Sequence, residues 1–327
     1  MDWKNKNIFV TGAAGFIGSH LCETLTQKGA NVTAFVHYNS LNRFGWLDYS
    51  RLKNDMEIVL GDITDSNYID QLIKEKDTVF HLAALIGIPY SYVAPDSYIQ
   101  TNIIGTTNVL KAVRRHQNRR LIHTSTSEVY GTAQFVPIDE SHPLQGQSPY
   151  SASKIGADMM AESYYRSFDV PVTIVRPFNT FGPRQSMRAV IPTIISQCLR
   201  NQPIQLGNVT PTRDMNYVSN TVAGFIMAAE CNDAIGETIN LGSGREISIG
   251  DLAKLIIQLC GNDNPLEEDL TRTRPKNSEV ERLLADSSKA KQLLGWSSEI
   301  TLEEGLKQTI EWFRENIHHY ERNNYVI

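Results

Sequence analysis

"NIFVTGAAGFIGSHLCETLTQKG", residues 7–29, decides the fold. A short run of strand-forming residues leads straight into Gly12-Ala13-Ala14-Gly15-Phe16-Ile17-Gly18, and a helical stretch follows without a break. Glycines at that junction let the turn close, let backbone approach a pyrophosphate and let helix and strand pack tightly. The helix N-terminus then offers free N–H groups to the phosphates. A glycine triplet alone is a weak signal, but between a first strand and a first helix it reads as a dinucleotide site. Gly12, Gly15, Phe16, Ile17 and Gly18 are therefore candidate cofactor-binding residues.

Outward from this unit, apolar runs recur: "NVTAFVHY", "EIVLGD", "TVFHLAA", "RRLIHTST", "VTIVRP" and "ETINLGS". Each is short and rich in β-formers, and helical patterns separate them. Continuous rather than alternating apolar runs are the mark of a parallel sheet covered on both faces. The expectation is an α/β protein with a doubly wound parallel sheet and a smaller interleaved α/β lobe. Regularity weakens after Pro177, where "FNTFGPRQSM" and "LGNVTPTRDMNYV" are rich in loop residues. The cofactor domain is placed at 1–178, with 214–242 returning to the sheet. A substrate lobe is placed at 179–213 and 243–327, and a ligand would lie in the cleft between the two.

Bulk properties exclude other classes. A net charge of −5 over 327 residues is no nucleic-acid footprint. No run approaches the ~18 apolar residues of a membrane span. The N-terminus enters a strand at once, leaving no room for a secretory signal, so a cytoplasmic location is expected. Cys22, Cys198, Cys231 and Cys260 are scattered, without CxxC pairing, and the eight histidines lack metal-ligand spacing. No metal is implied.

Tyr150-Ser151-Ala152-Ser153-Lys154 puts a phenol and an ammonium one helical turn apart on one face. A phenol of pKa near 10 is a poor base at neutral pH; a neighbouring cation favours its phenolate. Tyr150 can then take a proton from a sugar hydroxyl as hydride leaves. Thr126 adds a hydroxyl to orient the same oxygen. Ser127 and Glu128 follow it. Hydride transfer alone needs no second base, but a transient ketone acidifies the neighbouring C–H, and Glu128 is suited to remove that proton.

These motifs resemble the extended short-chain dehydrogenase/reductase family of NAD-dependent epimerases and dehydratases. The GxxGxxG spacing and the "YSASK" helix carry the likeness, which covers nearly the whole chain. Within it, nucleotide-sugar 4,6-dehydratases have Thr-Asp-Glu where this chain has Thr126-Ser127-Glu128. "ALIGIPYSYVAPDSYIQTN" and "QSPYSASK" resemble bacterial dehydratases that begin legionaminic or pseudaminic acid pathways. The resemblance implies a Rossmann fold, and cofactor contacts from Asp62 and Ile63, from Leu82, Ala83 and Ala84, from Asn102 at the opening of the next helix, and from Tyr150 and Lys154. It implies NAD, although His37 stands where NAD-selective members carry an acidic residue, which leaves NADP as the alternative. It implies a diphosphate held by Asn179, Arg184, Arg213, Arg274 and Arg282, since arginines give bidentate contacts to phosphate. It also implies a homodimer. The expected activity is dehydration of a nucleotide-linked N-acetylhexosamine, UDP-N-acetylglucosamine or its 5,6-ene, to a 4-keto-6-deoxy sugar. A UDP-glucuronate decarboxylase, which also carries Ser-Glu, and a 4-epimerase are the alternatives, and a non-catalytic sensor ranks last.

Overall fold

The computed structural model describes residues 2–269 and 275–320. The first six strands are β1 (Asn7–Thr11), β2 (Asn31–His37), β3 (Glu57–Gly61), β4 (Thr78–His81), β5 (Arg120–Thr124) and β6 (Val172–Pro177). After them come β7 (Asn179–Phe181), β8 (Ile204–Leu206), β9 (Thr212–Tyr217), β10 (Thr238–Leu241), β11 (Glu246–Ser248) and β12 (Leu266–Glu268). The helices of the first half are α1 (Phe16–Gln27), α2 (Ser66–Ile73), α3 (Ile88–Val93), α4 (Pro95–Tyr98), α5 (Gly105–His116) and α6 (Pro149–Phe168). Those of the second are α7 (Val190–Leu199), α8 (Val218–Glu230), α9 (Ile249–Cys260), α10 (Ser288–Leu294) and α11 (Leu302–Asn316).

Seven strands make one sheet in the order β10-β6-β5-β4-β1-β2-β3, with every neighbouring pair parallel. The seven apolar runs are these seven strands. Their residues alternate between two cores. Ile8, Val10, Val32 and Ala34 join the side that includes Leu21 of α1 and Phe225 of α8. Phe9, Phe35, Val79 and Leu121 join the side with Ile69 of α2, Val109 of α5 and Ala161 of α6. With apolar contacts on both faces, no strand needs a polar side, which is why the runs read as continuous. The chain winds outward from β1 to β3, then starts again at β4 on the other side of β1. In open sheets of this kind ligands bind at such a reversal, beyond the C-terminal ends of the strands.

A second sheet, β11-β9-β7, and a parallel pair, β12-β8, build the smaller lobe. The boundary at 214 falls inside β9, whose residues pair within the small sheet. The chain rejoins the large sheet through α8 and then β10. Among the described residues, no helix is long and apolar enough to cross a membrane, and no group of three or more His, Cys, Asp or Glu could hold a metal ion.

Candidate active site

The glycine turn is built for close approach. Gly12 has φ +69°, and a Cβ there would lie 2.8 Å from the backbone N of Ala83. A Cβ on Gly18 would lie 2.2 Å from the carbonyl oxygen of Gly12, so only glycine lets α1 sit this near β1. Gly15 N-caps α1 without a side-chain cap, and the first turn holds no acidic residue. Phe16, Ile17 and Gly18 thus begin a helix whose positive end is left for an anion. A dinucleotide pyrophosphate fits this donor set.

Asp62 follows β3 and accepts from the Thr64 backbone N and hydroxyl, both at 2.8 Å. Burial opposes its ionisation, yet these bonds and nearby His37 hold its carboxyl below the usual range. Ile63 is buried. His37, the last residue of β2, is exposed, and no carboxylate stands in its place.

Beneath the turn runs a hydrogen-bonded chain. Thr11 Oγ1 accepts from the backbone of Leu82 and Ala83 at 3.1 and 3.0 Å, so its own proton goes to His81 Nδ1, 2.8 Å away. His81 Nε2–H donates to Thr106 Oγ1 at 2.9 Å, because the Thr106 proton is given to the Asn102 carbonyl. Both hydroxyls specify one neutral tautomer, and burial holds the ring well below the ordinary histidine range. Asn102 does not open a helix as expected. It lies inside a π-helical turn, Ile99–Ile104, that joins α4 to α5. Its amide is committed to the Leu85 backbone and, at 2.9 Å, to Ser153 Oγ. Ser153 in turn donates to the Tyr150 carbonyl. The segment after β4 is thereby tied to the helix that carries the tyrosine.

That helix begins with a reciprocal cap between Ser148 and Ser151 and has Pro149 in its first turn. Tyr150 therefore sits at the positive end of α6, where a phenolate is favoured. Opposite it, β5 runs out at Thr124. Thr126 caps the short turn Ser127–Tyr130 by accepting from the Glu128 backbone N at 3.3 Å. Ser127 is 2% exposed, Tyr150 7% and Lys154 4%, while Glu128 is half-buried. Burial raises the Tyr150 phenol well above its ordinary value, the Thr126 hydrogen bond lowers it, and the Glu128 charge raises it again. Lys154 Nζ, one turn along from Tyr150, donates to the Thr124 carbonyl at 2.6 Å. Burial brings its ammonium down to about 8. Thr126, Glu128 and Tyr150 are gathered at one point, with Lys154 one turn below.

The arginines are less convergent. Arg213, 6% exposed, reaches Glu279 at 3.4 Å and its neighbour's carbonyl at 2.9 Å. Arg184 turns to α1 instead, bonding Glu23 at 3.0 Å and Ser19 at 3.1 Å. Arg282 forks onto Glu246 near the surface, with Nε at 2.9 Å. Asn179, on β7, keeps a buried Oδ1 without a hydrogen-bond partner among the described residues. Arg274 lies outside the described residues. Sequence reasoning missed Asp158, His123, Ser125 and Arg176, a buried polar group behind Lys154. The signal was available: a histidine and an arginine interrupt two otherwise apolar strand runs.

The profile of the family described as GDP-mannose 4,6 dehydratase matches residues 9–309. Human dTDP-D-glucose 4,6-dehydratase is 33% identical, across 96% of this chain and 92% of that protein. The solved dTDP-glucose 4,6-dehydratase of Streptomyces venezuelae, with NAD bound, superposes with a TM-score of 0.89 at 27% identity, covering 96% and 99% of the two chains. The UDP-N-acetylglucosamine 4-epimerase of Methanobrevibacter ruminantium, in complex with UDP-N-acetylmuramic acid, gives 0.87 at 31% identity over 96% and 99%. A glycine turn shaped for a dinucleotide, a Tyr150–Lys154 helix and a match over nearly the whole chain agree: this chain belongs to the GDP-mannose 4,6 dehydratase family of extended short-chain dehydrogenases/reductases.

Proposed function

We propose that the protein is an NAD-dependent nucleotide-sugar 4,6-dehydratase acting on a nucleotide-linked N-acetylhexosamine, with UDP-N-acetylglucosamine or its 5,6-ene the preferred substrate. The observation that carries this reading is Glu128, a half-buried carboxylate close enough to Tyr150 to shift its phenol. A 4-epimerase needs no base at that place.

Bound NAD supplies acceptance and return of one hydride. Gly12, Gly15, Phe16, Ile17 and Gly18 would hold its pyrophosphate, Asp62 and Ile63 the adenine side, His37 the ribose, and Leu82, Ala83, Ala84 and Asn102 the floor. Tyr150 takes the proton of the sugar's 4-hydroxyl while the Thr126 hydroxyl bonds the same oxygen. The 4-ketone acidifies C5–H, and Glu128 removes that proton. Loss of the 6-hydroxyl needs an acid. Ser127 is a weak one, so Glu128 passes the C5 proton to the leaving oxygen. A 5,6-ene substrate bypasses that step. Arg213, with Arg274 and Asn179, would receive the diphosphate. A homodimer fits the exposed Ile99, Ile104 and Met159 around α5 and α6.

A panel of sugar nucleotides scored by mass tests the reading. Loss of water from UDP-N-acetylglucosamine, or a 4-keto product from its 5,6-ene, with solvent deuterium at C5 in D₂O and suppression in Glu128→Gln, is the expected result. Loss of carbon dioxide from UDP-glucuronate, with no 4-keto product from any N-acetylhexosamine nucleotide, replaces it with the decarboxylase, which the Ser127-Glu128 pair also suits.

A further inference from the structure

Three consecutive residues at the end of β5 stitch it to α6. The Thr124 carbonyl accepts from Lys154 Nζ at 2.6 Å. Ser125 Oγ donates to Asp158 Oδ2, also at 2.6 Å. The Thr126 hydroxyl bonds the Tyr150 phenol. The partners fall at positions 150, 154 and 158, one stripe of the helix at four-residue spacing. Tyr150 acts in the proposed reaction, and Lys154 is its partner in the YSASK helix. The third, Asp158, has no place in that reaction.

Asp158 is nonetheless the most heavily engaged of the three. It is 0% exposed. Oδ2 also accepts from Arg176 Nε and Nη2 at 3.2 and 3.0 Å, and His123 Nε2 lies 3.2 Å from Oδ1. Arg176 goes on to the Tyr130 hydroxyl, which donates to Asn240. A carboxylate with this many donors stays ionised despite burial, and its own pKa is lowered accordingly. Hydrophobic side chains of similar volume often replace such a buried pair without loss of stability, so packing alone does not account for it.

The charges around Lys154 show what it does. β4 contributes His81, neutral in its specified tautomer. β5 contributes the Thr124 carbonyl and His123, whose pKa burial also lowers. β6 contributes Arg176, a second cation, bound to Asp158. On α6 itself lie Tyr150 and Asp158, and Glu128 stands beyond Tyr150. Burial drives the lysine toward its neutral amine, and Asp158 is the charge that opposes this.

We infer that Asp158 is a positioning residue of the active site: it sets the register of α6 against the end of β5 and is the counter-charge that keeps Lys154 an ammonium. The inference rests on Tyr150 and Lys154 being the working pair, but not on which sugar they act upon.

The test follows Lys154 directly. Protein labelled with ¹³C at lysine Cε is titrated by NMR without sugar nucleotide, and Lys154→Met identifies the resonance. In Asp158→Asn the midpoint falls by about one pH unit or more, because an opposite charge has been removed from a buried site. That is a tenfold loss of ammonium relative to amine above the new midpoint. Ser125→Ala keeps the charge and leaves the midpoint in place, and Asp158→Glu restores most of it. If Asp158→Asn does not fold with Arg176 left unpaired, Asp158→Asn/Arg176→Met removes both charges, and a smaller fall in the same direction is expected, because a like charge leaves together with the counter-charge. An unchanged Lys154 midpoint in a folded variant lacking the carboxylate overturns the proposal. Titration of an empty enzyme reports nothing about dehydration, so a failure here is distinct from a failure of the proposed activity.

Discussion

Charge is handled in opposite ways on the two sides of the cleft. Behind Tyr150, the cations Lys154 and Arg176 are buried around one carboxylate, Asp158, and the donors around it are locked by the sheet. In the lobe, Arg184, Arg213 and Arg282 each have a carboxylate of their own, in Glu23, Glu279 and Glu246. The first arrangement has no spare partner and cannot rearrange without uncovering a buried charge. The second consists of pairs whose acid a stronger anion can displace. Fixed charge suits chemistry at a single atom; exchangeable charge suits capture and release of a diphosphate.

The hardest blow to the fixed side is Tyr150→Phe. Turnover falls by roughly 10²–10⁴-fold, the usual contribution of a general base, while NAD affinity stays near wild type. Turnover above half of wild type would remove Tyr150 from the mechanism. On the exchangeable side, Arg213→Ala weakens UDP and the sugar nucleotide alike by about 1.5–3 kcal/mol, the worth of a charged hydrogen bond. Calorimetry showing unchanged affinity for both ligands would move the diphosphate elsewhere.

pH separates the two sides further. Lys154, lowered by burial to about 8, works as an ammonium. kcat/KM on the substrate identified by the panel should therefore carry a descending limb above that pH, as the ammonium is lost, set against the rise with pH that a base as weakly acidic as the buried Tyr150 phenol imposes. Arginines stay charged throughout this range, so the affinity for UDP should show no such limb. A UDP affinity that falls in step with kcat/KM would erase the distinction. The smallest effect belongs to Arg184→Ala. Its pair with Glu23 is only partly buried, so stability drops by about 1 kcal/mol or less, and UDP binding is unaltered. A loss of UDP affinity as large as that of Arg213→Ala would return Arg184 to the substrate.

The same contrast explains what could be read from the chain. The central strands were legible because burial on both faces forces an unbroken apolar run, and the Tyr150–Lys154 pair because helix geometry converts a spacing of four into a shared face. β7, β8, β11 and β12 are three residues each, too short for any periodicity to register. The arginines failed differently. Residue type shows that a guanidinium can bind phosphate, but its occupation depends on which carboxylate the fold brings beside it. Glu23 lies 161 positions from Arg184. Asp158 was hidden for the same reason: its partners His123 and Arg176 stand out as polar residues within two apolar strand runs, but nothing local shows that the fold brings them to one carboxylate on α6.

One consequence follows from where β10 comes in the chain. It pairs along β6, from Ile174 to Pro177, yet it follows the first strands of the lobe. The side chain of Arg120, on β5, likewise bonds the carbonyls of Ala229 and Cys231, at the end of α8. A fragment stopped at residue 178 would therefore retain its glycine turn and its YSASK helix but present β6 as a raw edge. Its unpaired backbone groups would recruit another copy rather than remain in water. The large sheet is complete only after the chain has passed through the first strands of the lobe, so the two lobes should melt in a single transition. Evolution can vary the loops of the smaller lobe, but cannot shed that lobe without tearing the sheet.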